Sequence, residues 1–367
     1  MTRSASPFER GLVLGAFLPP HAGHHALVEL VRTRCRHVTV AVADLPGQIP
    51  ETHDRASWLQ AIHPDVDVVV VPDNCGWHGA APCVDACASA WAEQLAVLTP
   101  PAFDLLATTD HYGPSLAAQL HATALDASSL APKDLGLAPP ATPASPASEA
   151  AVRSDLAAHW NELHPVVRAG LYRRLAVIGS ESTGTTTLTR DLAERLGAPL
   201  TYEAGRVMSW SLAARVGGIE KIEWTEHDFY RVLEEQRRVE ADATARAVDL
   251  RFGPLGPWLV CDTDALATVV WWERYLDSPS DPAMKFAEAR LAEAYVITSP
   301  AAVDFRQDGV RDGEHVRYAM HRRFVELARE SGQPYLEVSG NAAERVERVL
   351  EWLVDVEAAQ PRFAIGY

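Results

Sequence analysis

Two stretches of this chain place phosphate-handling residues at a strand-to-helix turn. The first is Gly15-Ala-Phe-Leu-Pro-Pro-His-Ala-Gly-His24. An apolar run ends in Gly15, Pro19 and Pro20 hold the turn open, and His21 and His24 stand where a helix begins. Gly23 lets the backbone approach a ligand closely. Two imidazoles beside a helix N-terminus make a site for phosphate. Next to a nucleotide's α-phosphate they can stabilise the charge that builds during attack, without a covalent intermediate. A bare pair of histidines at this spacing is as readily structural. The surrounding frame G-x-F-x-P-x-H-x-G-H makes the pair more specific.

The second stretch is Gly179-Ser-Glu-Ser-Thr-Gly-Thr-Thr186, with the glycine spacing of a phosphate-binding loop. Backbone N–H groups over Gly179, Ser182, Thr183, Gly184 and Thr185 would cradle ATP phosphates. Thr186 stands where the hydroxyl ligand of Mg²⁺ belongs. The Lys usual at position 185 is Thr, which removes a point charge but leaves the nest of amides. Arg190, Arg206, Arg311 or Arg317 are candidates to supply that charge.

Other residues cluster around this second loop in type. Cys261-Asp-Thr-Asp264 follows an apolar strand, so Asp262 is a candidate Mg²⁺ ligand and Asp264 a substrate contact. Glu203, in Thr201-Tyr-Glu-Ala-Gly-Arg206, is a candidate base or ribose ligand, and Arg206 a phosphate contact; both read equally well as surface charges. Asp304-Phe-Arg-Gln-Asp-Gly-Val-Arg311 reads as a charged lid loop in which Arg311 covers the phosphates, or as a plain solvated loop.

These residues need scaffolds. The 367 residues suffice for two domains of about 150–200 residues. Apolar runs at Gly11–Phe17, Val38–Ala43, Val66–Val71 and Phe103–Thr108 alternate with helical stretches at His24–Arg34, His53–Ile62, Val84–Leu98 and Pro114–His121. Such alternation predicts a parallel sheet covered on both faces. Proline-rich Ala138–Ala147 bars regular structure, and a single helix is expected over Glu149–Tyr172. The pattern restarts at Arg173 with strands at Leu175–Ile178, Trp258–Thr263, Ala294–Thr298 and Tyr335–Val338, and helices at Gly184–Leu196, Thr225–Leu250 and Ala342–Glu357. The fold class is α/β, with two tandem parallel-sheet domains. The expected boundaries are 1–153, a bridging helix over 154–172, and 173–367.

Composition excludes several classes. With 33 Lys+Arg against 49 Asp+Glu, the net charge is −16, which disfavours nucleic acid and anionic membranes as partners. No apolar run reaches the roughly 18 residues of a membrane span. Met1–Arg10 lacks the apolar region of a signal peptide, so a cytoplasmic location is expected. Five cysteines are an odd, sparse set, expected as reduced thiols. Cys75, His78, Cys83 and Cys87 lack the tight paired spacing of a zinc site, and Cys87 reads as a small core residue.

The first motif resembles the loop of the nucleotidylyltransferase superfamily. The resemblance implies attack of a nucleotide phosphate on the α-phosphate of ATP, with Gly15 and Phe17 at the ATP. The superfamily's second signature, S-x-T-x-x-R, has Ser148-Glu-Ala-Ala-Val-Arg153 as its candidate, with Ala150 in the Thr position. Ser148 and Arg153 would then contact ATP, although Arg153 reads nearly as well as an exposed helix arginine. Arg55 and Trp58 resemble an R-x-x-W stretch beside a pyridine-nucleotide pocket; a packing Trp and a solvent Arg are the equal alternative.

The order of the two halves resembles the NadR-type family of NAD salvage, over nearly the whole chain. The motifs in order are GAFLPPHAGH, THDRASWLQAIHPDVDVVVV, GSESTGTTTL, YEAGR, CDTD and DGVRDGEHVRYAMHRRF. The resemblance implies a Rossmann-like nucleotidylyltransferase domain followed by a P-loop nucleoside kinase domain. It implies that nicotinamide riboside is phosphorylated to nicotinamide mononucleotide, which is then adenylylated to NAD, with ATP and Mg²⁺ in both steps. His21 and His24 would act in adenylyl transfer. Glu203 and Asp262 would act in phosphoryl transfer, with Thr186 and Asp262 holding the metal. Some members carry an N-terminal helix-turn-helix repressor domain; with about ten residues before the first strand, none is expected here. The sequence leaves self-association open. It also leaves open that only one domain is active and the other binds nucleotide as a regulator, or that a different transferase is fused to an unrelated kinase. Because the ligands are anions and the chain is acidic, local positive pockets are expected at His21, His24, Arg153, Arg206 and Arg311.

Overall fold

The computed structural model describes residues 8–75, 84–98, 102–126, 148–301 and 314–365. The chain divides into two units, one of Met1–Gly170 with Pro361–Tyr367 and one of Leu171–Gln360.

The first unit runs β1 (Phe8–Gly15), α1 (Ala22–Arg34), β2 (Cys35–Asp44), β3 (Gln48–Ile49), α2 (Thr52–Ile62), β4 (Asp67–Pro72), α3 (Val84–Leu98), β5 (Leu105–Thr108), α4 (Gly113–Gln119), β6 (Thr123–Asp126), α5 (Glu149–Ser154) and α6 (Pro165–Gly170). Its parallel sheet has the order β4-β2-β1-β5-β6. Successive side chains of a strand face opposite sides. Leu12 and Leu14 therefore join Trp91, Leu95 and Leu116 on one face, while Val13 joins Leu27, Val31 and Leu59 on the other.

The second unit runs β7 (Arg173–Gly179), α7 (Thr185–Leu196), β8 (Leu200–Thr201), α8 (Ala204–Val216), α9 (Glu226–Arg246), β9 (Trp258–Asp262), α10 (Ala265–Leu276), α11 (Asp281–Glu288), β10 (Ala294–Thr298), α12 (Arg317–Glu330), β11 (Tyr335–Val338) and α13 (Ala342–Ala359). Its sheet is also parallel, in the order β11-β10-β7-β9-β8. Leu175, Val177, Val260 and Val296 pack against Leu188 and Leu192 of α7 and Val349 and Leu353 of α13. After α13 the chain returns to the first unit, where β12 (Ala364–Ile365) pairs antiparallel with β3. The sequence patterns did not signal this two-residue ladder.

Two expectations need correction here. The single helix over Glu149–Tyr172 is broken into α5, a 3₁₀ turn at Trp160–Glu162, and α6. Asp155 leaves the helical region at φ −143°, ψ 79°, and Pro165 opens α6 because it has no N–H to continue an earlier helix. Residues 154–170 are not a bridge: Val167 is buried and Gly170 lies directly against the Trp58 ring, so this stretch is part of the first unit. The second correction concerns sulfur. Cys75 and Cys87 form a disulfide with Cα atoms 4.9 Å apart, while Cys35 and Cys261 are free and buried. His78 and Cys83 lie outside the described residues. Among the described residues, no group of three or more His, Cys, Asp or Glu is placed to hold a metal, and no helix is long and apolar enough to cross a membrane.

Two candidate nucleotide sites

The first site sits where the order of the first sheet reverses, between β1 and β5. Open parallel sheets bind ligands beyond the strand ends at such a point. His21 and His24 together cap α1. The His21 Nδ1 accepts from the Gly23 N–H at 3.1 Å, and the His24 Nδ1 accepts from the His21 N–H at 3.3 Å. With both Nδ1 atoms accepting, both imidazole protons sit on Nε2, a tautomer assigned from the hydrogen bonds. The His24 Nε2–H faces Glu149 Oε1 at 3.2 Å. The two rings are tilted at 32° with centroids 3.9 Å apart. His21 Nε2 has no protein partner among the described residues, although it is His24, and not His21, that lines the neighbouring cavity.

Burial, followed by the neighbouring His24, pulls the His21 pKa down to about 2, so the ring is neutral. Burial works the other way on Glu149. There the hydrogen bonds from His24 and the Leu18 N–H outweigh it and bring the carboxyl down to about 2. Glu149 therefore stays ionised and orients His24. It lies inside the Ser148–Arg153 stretch but outside that signature's named positions, so the motif could not reveal it.

Beside the histidines is a cavity of about 260 Å³, lined by Gly15, Phe17, His24, Trp91, Tyr112 and Glu149 among others. Phe17 takes a left-handed backbone (φ 53°) and packs 4.8 Å from the His24 ring.

Four expected contacts of this site serve the scaffold instead. Arg55 is fully buried, and its guanidinium donates to the Ala16, Pro50 and Ala43 carbonyls and to Gln48 and Thr52. Its donors are spent on joining β1, β2 and β3. Trp58 packs on Gly170 and does not line the cavity. Ser148 caps α5 by accepting from the Ala151 N–H at 3.2 Å. Arg153 donates to the Leu18 carbonyl at 2.8 Å and pairs with Glu149 at 3.2 Å. Among the described residues, His21 is neutral and Arg153 is paired with Glu149, so neither lends this site a free positive charge.

The second site is built on the loop between β7 and α7. Gly184 caps α7 with φ 89°, and Ser182 also takes a left-handed backbone at φ 62°. The Thr183 hydroxyl turns inward to the Ser180 carbonyl (2.7 Å) and Thr298 (2.6 Å). Thr183 therefore offers a ligand only its backbone. At Gly179 any Cβ would collide with Thr298.

Two arginines grip the outer carbonyls of the loop. Arg317 donates to Glu181 (3.1 Å) and Ser182 (3.3 Å), and Arg345 donates to Thr183 (2.6 Å). Sequence reading had no signal for Arg345, which approaches from α13. Of the candidates to replace the missing Lys, Arg317 is a loop clamp, Arg190 does not line the cavity, and Arg311 lies outside the described residues. Arg206 is the one of these that lines the cavity.

The Thr186 hydroxyl donates to Asp262 Oδ2 at 2.6 Å. Asp262 Oδ1 is buried with no hydrogen-bond partner, and burial raises the Asp262 pKa. An orphaned carboxylate oxygen beside a threonine hydroxyl fits the few protein ligands that Mg²⁺ takes alongside phosphates. Glu203 is the N-cap of α8 but its carboxylate accepts no backbone capping bond; it accepts instead from Arg206 Nε of the same helix at 3.1 Å. Burial is the largest influence on Glu203; against the Arg206 charge it pushes the pKa up to about 7. Asp264, expected at the substrate, instead caps α10 through the Ala267 N–H (3.0 Å), accepts from the Tyr295 hydroxyl (2.9 Å), and does not line the cavity.

That cavity has a volume of about 140 Å³ and runs from Gly179–Thr187 past Glu203 and Arg206 to Trp224, Phe229, Trp271 and Tyr275. Trp224 stacks on Tyr275 with centroids 5.5 Å apart, and Trp271 on Tyr275 at 6.2 Å. These aromatics form a platform for a flat ring. Trp271 and Tyr275 lie one turn apart on α10, and Trp224 joins them from the segment before α9. Arg274 lies over Tyr275 at 4.7 Å and pairs with Glu181 of the phosphate loop at 3.0 Å.

Comparison with solved structures finds the same two-unit architecture. A NadR protein in complex with NR superposes with a TM-score of 0.63 at 17% identity, covering 94% of this chain and 96% of that one. The chain has the NadR fold. A NadR protein in complex with NAD and AMP-PNP agrees, with a TM-score of 0.62 at 18% identity, covering 95% of this chain and 96% of that one. Residues 174–345, most of the second unit of this NadR-like chain, match a family model described as an AAA domain. No curated protein sequence matches the chain.

Proposed function

We propose that this protein is a bifunctional NAD salvage enzyme. The second unit would phosphorylate nicotinamide riboside with ATP. The first would join nicotinamide mononucleotide to ATP, giving NAD and pyrophosphate. One observation carries the reading: a histidine-capped turn at the switch point of one sheet and a phosphate loop on the next, in the order and fold of NadR proteins that bind NR, NAD and an ATP analogue.

In the phosphoryl step, Glu203 accepts the proton of the riboside's 5′-hydroxyl as that oxygen attacks the γ-phosphorus of ATP, and ADP leaves. A pKa near 7 suits a base working at neutral pH. Loop amides and Arg206 meet phosphate charge, and the Trp224, Trp271 and Tyr275 faces hold the pyridine ring. Thr186 and Asp262 would hold Mg²⁺, which supplies charge neutralisation at the phosphates. Positioning and electrostatics carry most of the rate in such reactions.

In the adenylyl step, a phosphate oxygen of the mononucleotide attacks the α-phosphorus of ATP. The N–H groups of His21 and the α1 N-terminus stabilise the charge at that phosphorus, while Glu149 holds His24 in its donor tautomer.

A direct test supplies Mg·ATP with nicotinamide riboside in one tube and with nicotinamide mononucleotide in another, and separates the products by chromatography. ADP with mononucleotide is expected in the first tube, and NAD with pyrophosphate in the second. One product alone would favour a single active unit; the Thr at 185 and the arginines spent on loop carbonyls make the first tube the more demanding. Neither product would overturn the reading.

A further inference from the structure

We infer that the strand following α13 is a working wall of the first-unit cavity, and that Ile365 helps set how a flat heteroaromatic ring is held there. This inference rests on the adenylyl-transfer reading above.

Ile365 lines the same cavity as Gly15, Phe17 and His24, yet it belongs to a segment separated from them in sequence by the whole second unit. Its side chain is 48% exposed, whereas Phe17 and Leu45 of the same lining are buried. An apolar branched side chain left half open beside a ligand cavity gains by being covered, and the face of an aromatic ring covers it without burying a polar group.

The strand also connects physically to the residues at the phosphate turn. Ile365 stands opposite Gln48 in the β12–β3 ladder. The Gln48 side chain accepts from the Leu45 N–H at 3.1 Å and from Arg55. Arg55 in turn holds the Ala16 carbonyl, between Gly15 and Phe17. A two-residue ladder is not stable by itself. β3 and β12 therefore hold each other, and losing one loosens the support of the other. Ile365 is a positioning residue: it touches the ring of a bound nucleotide and not the reacting phosphorus. ATP and the mononucleotide each carry such a ring, and the experiment below separates the two.

The test uses the full chain with Ile365→Asp and Ile365→Val. KM is measured for ATP and for nicotinamide mononucleotide separately, with the thermal unfolding midpoint alongside. Ile365→Asp is expected to raise the KM for one nucleotide about tenfold, the scale on which apolar pocket contacts discriminate. Its kcat and midpoint should stay near those of the unaltered chain, and Ile365→Val should restore the KM. The nucleotide whose KM moves identifies the ring. Both KM values unchanged, or a fall in kcat and midpoint with no change in KM, would overturn the inference.

A chain stopped at Gln360 supplies the second variant. Hydrogen exchange over residues 45–55 should quicken in it; unchanged exchange would refute the latch between β12 and β3. If the unaltered chain makes no NAD, the adenylyl-transfer reading fails first. Calorimetric binding of ATP and of NAD then decides the wall: about tenfold weaker binding of either in Ile365→Asp supports it, and equal binding, or no binding by any chain, overturns it.

Discussion

The Thr186 hydroxyl and the Asp262 carboxylate meet at 2.6 Å, joining the first turn of α7 to the end of β9. The other Asp262 oxygen is buried without a partner. A single bond thus organises the proposed Mg²⁺ ligands. Thr186→Ala and Asp262→Asn are each expected to lower phosphorylation of nicotinamide riboside by about 10–100-fold. The loss should shrink as Mg²⁺ is raised. A Mg²⁺ titration of initial rates checks this, and rates unaffected by either change would remove the assignment.

As the proposed base, Glu203 would set a pH dependence. Its pKa is raised to about 7, and the base works only when ionised. Phosphorylation kcat/KM should therefore rise with pH through about 7 and level off above it. Glu203→Gln should lose the inflection and about 10²–10⁴-fold in rate. A pH–rate profile of both chains measures it.

A buried histidine cluster makes stability depend on pH. His25 Nδ1 lies 3.1 Å from His63 Nε2, and His63 Nδ1 lies 3.1 Å from Glu29. Burial, then His63, lowers the His25 pKa to about 3; burial also lowers His63 against the pull of Glu29. Above pH 6.5 both rings are neutral, folded or unfolded. As pH falls from 6.5 towards 3, the unfolded chain binds a proton at His25 that the folded chain refuses. Stability should fall over that window by at most about 1.4 kcal/mol per pH unit for this residue. Urea unfolding at pH 7.5 and pH 5 is expected to show the decline, and His25→Gln to flatten it. An equal slope in both chains would refute the attribution.

Trp58 separates support from binding. It packs on Gly170 and is buried. Trp58→Ala should cost about 3–5 kcal/mol of stability, with little change in the KM for nicotinamide mononucleotide in the chain that remains folded. A large rise in KM with unchanged stability would return Trp58 to the ligand.

The phosphate loop lacks a lysine, and its clamping arginines face carbonyls. Thr185→Lys should place an ammonium among the phosphates and lower the KM for ATP in the phosphorylation assay by about tenfold, equivalent to about 1.4 kcal/mol. Arg345→Ala should raise it, because the Thr183 carbonyl loses a charge-assisted bond worth about 1.5–3 kcal/mol. Steady-state kinetics against ATP measure both.

Two parallel α/β sheets, the turn at His21 and His24 and the loop at Gly179–Thr186 were legible in the sequence. Each depends on short-range order: apolar runs of strand length, glycine at fixed spacing, and a polar residue at a helix start. The sequence also offered Thr186 and Asp262 as candidate metal ligands; their hydrogen bond became visible only in the structure.

Tertiary structure decided what the side chains do. Arg55, Arg153 and Asp264 looked like ligand contacts by type, but Arg55 and Asp264 are buried among protein groups, and Arg153, partly exposed, bonds the Leu18 carbonyl and Glu149. Glu149, Arg345 and Ile365 reach their sites from distant elements, where no local spacing announces them, and Trp224 meets the α10 pair Trp271 and Tyr275 only through the fold. A charge or a ring in sequence carries its chemistry but not its partner. Which arginine meets a phosphate and which a carbonyl is set by packing, because a buried guanidinium must satisfy its donors with whatever the fold places beside it.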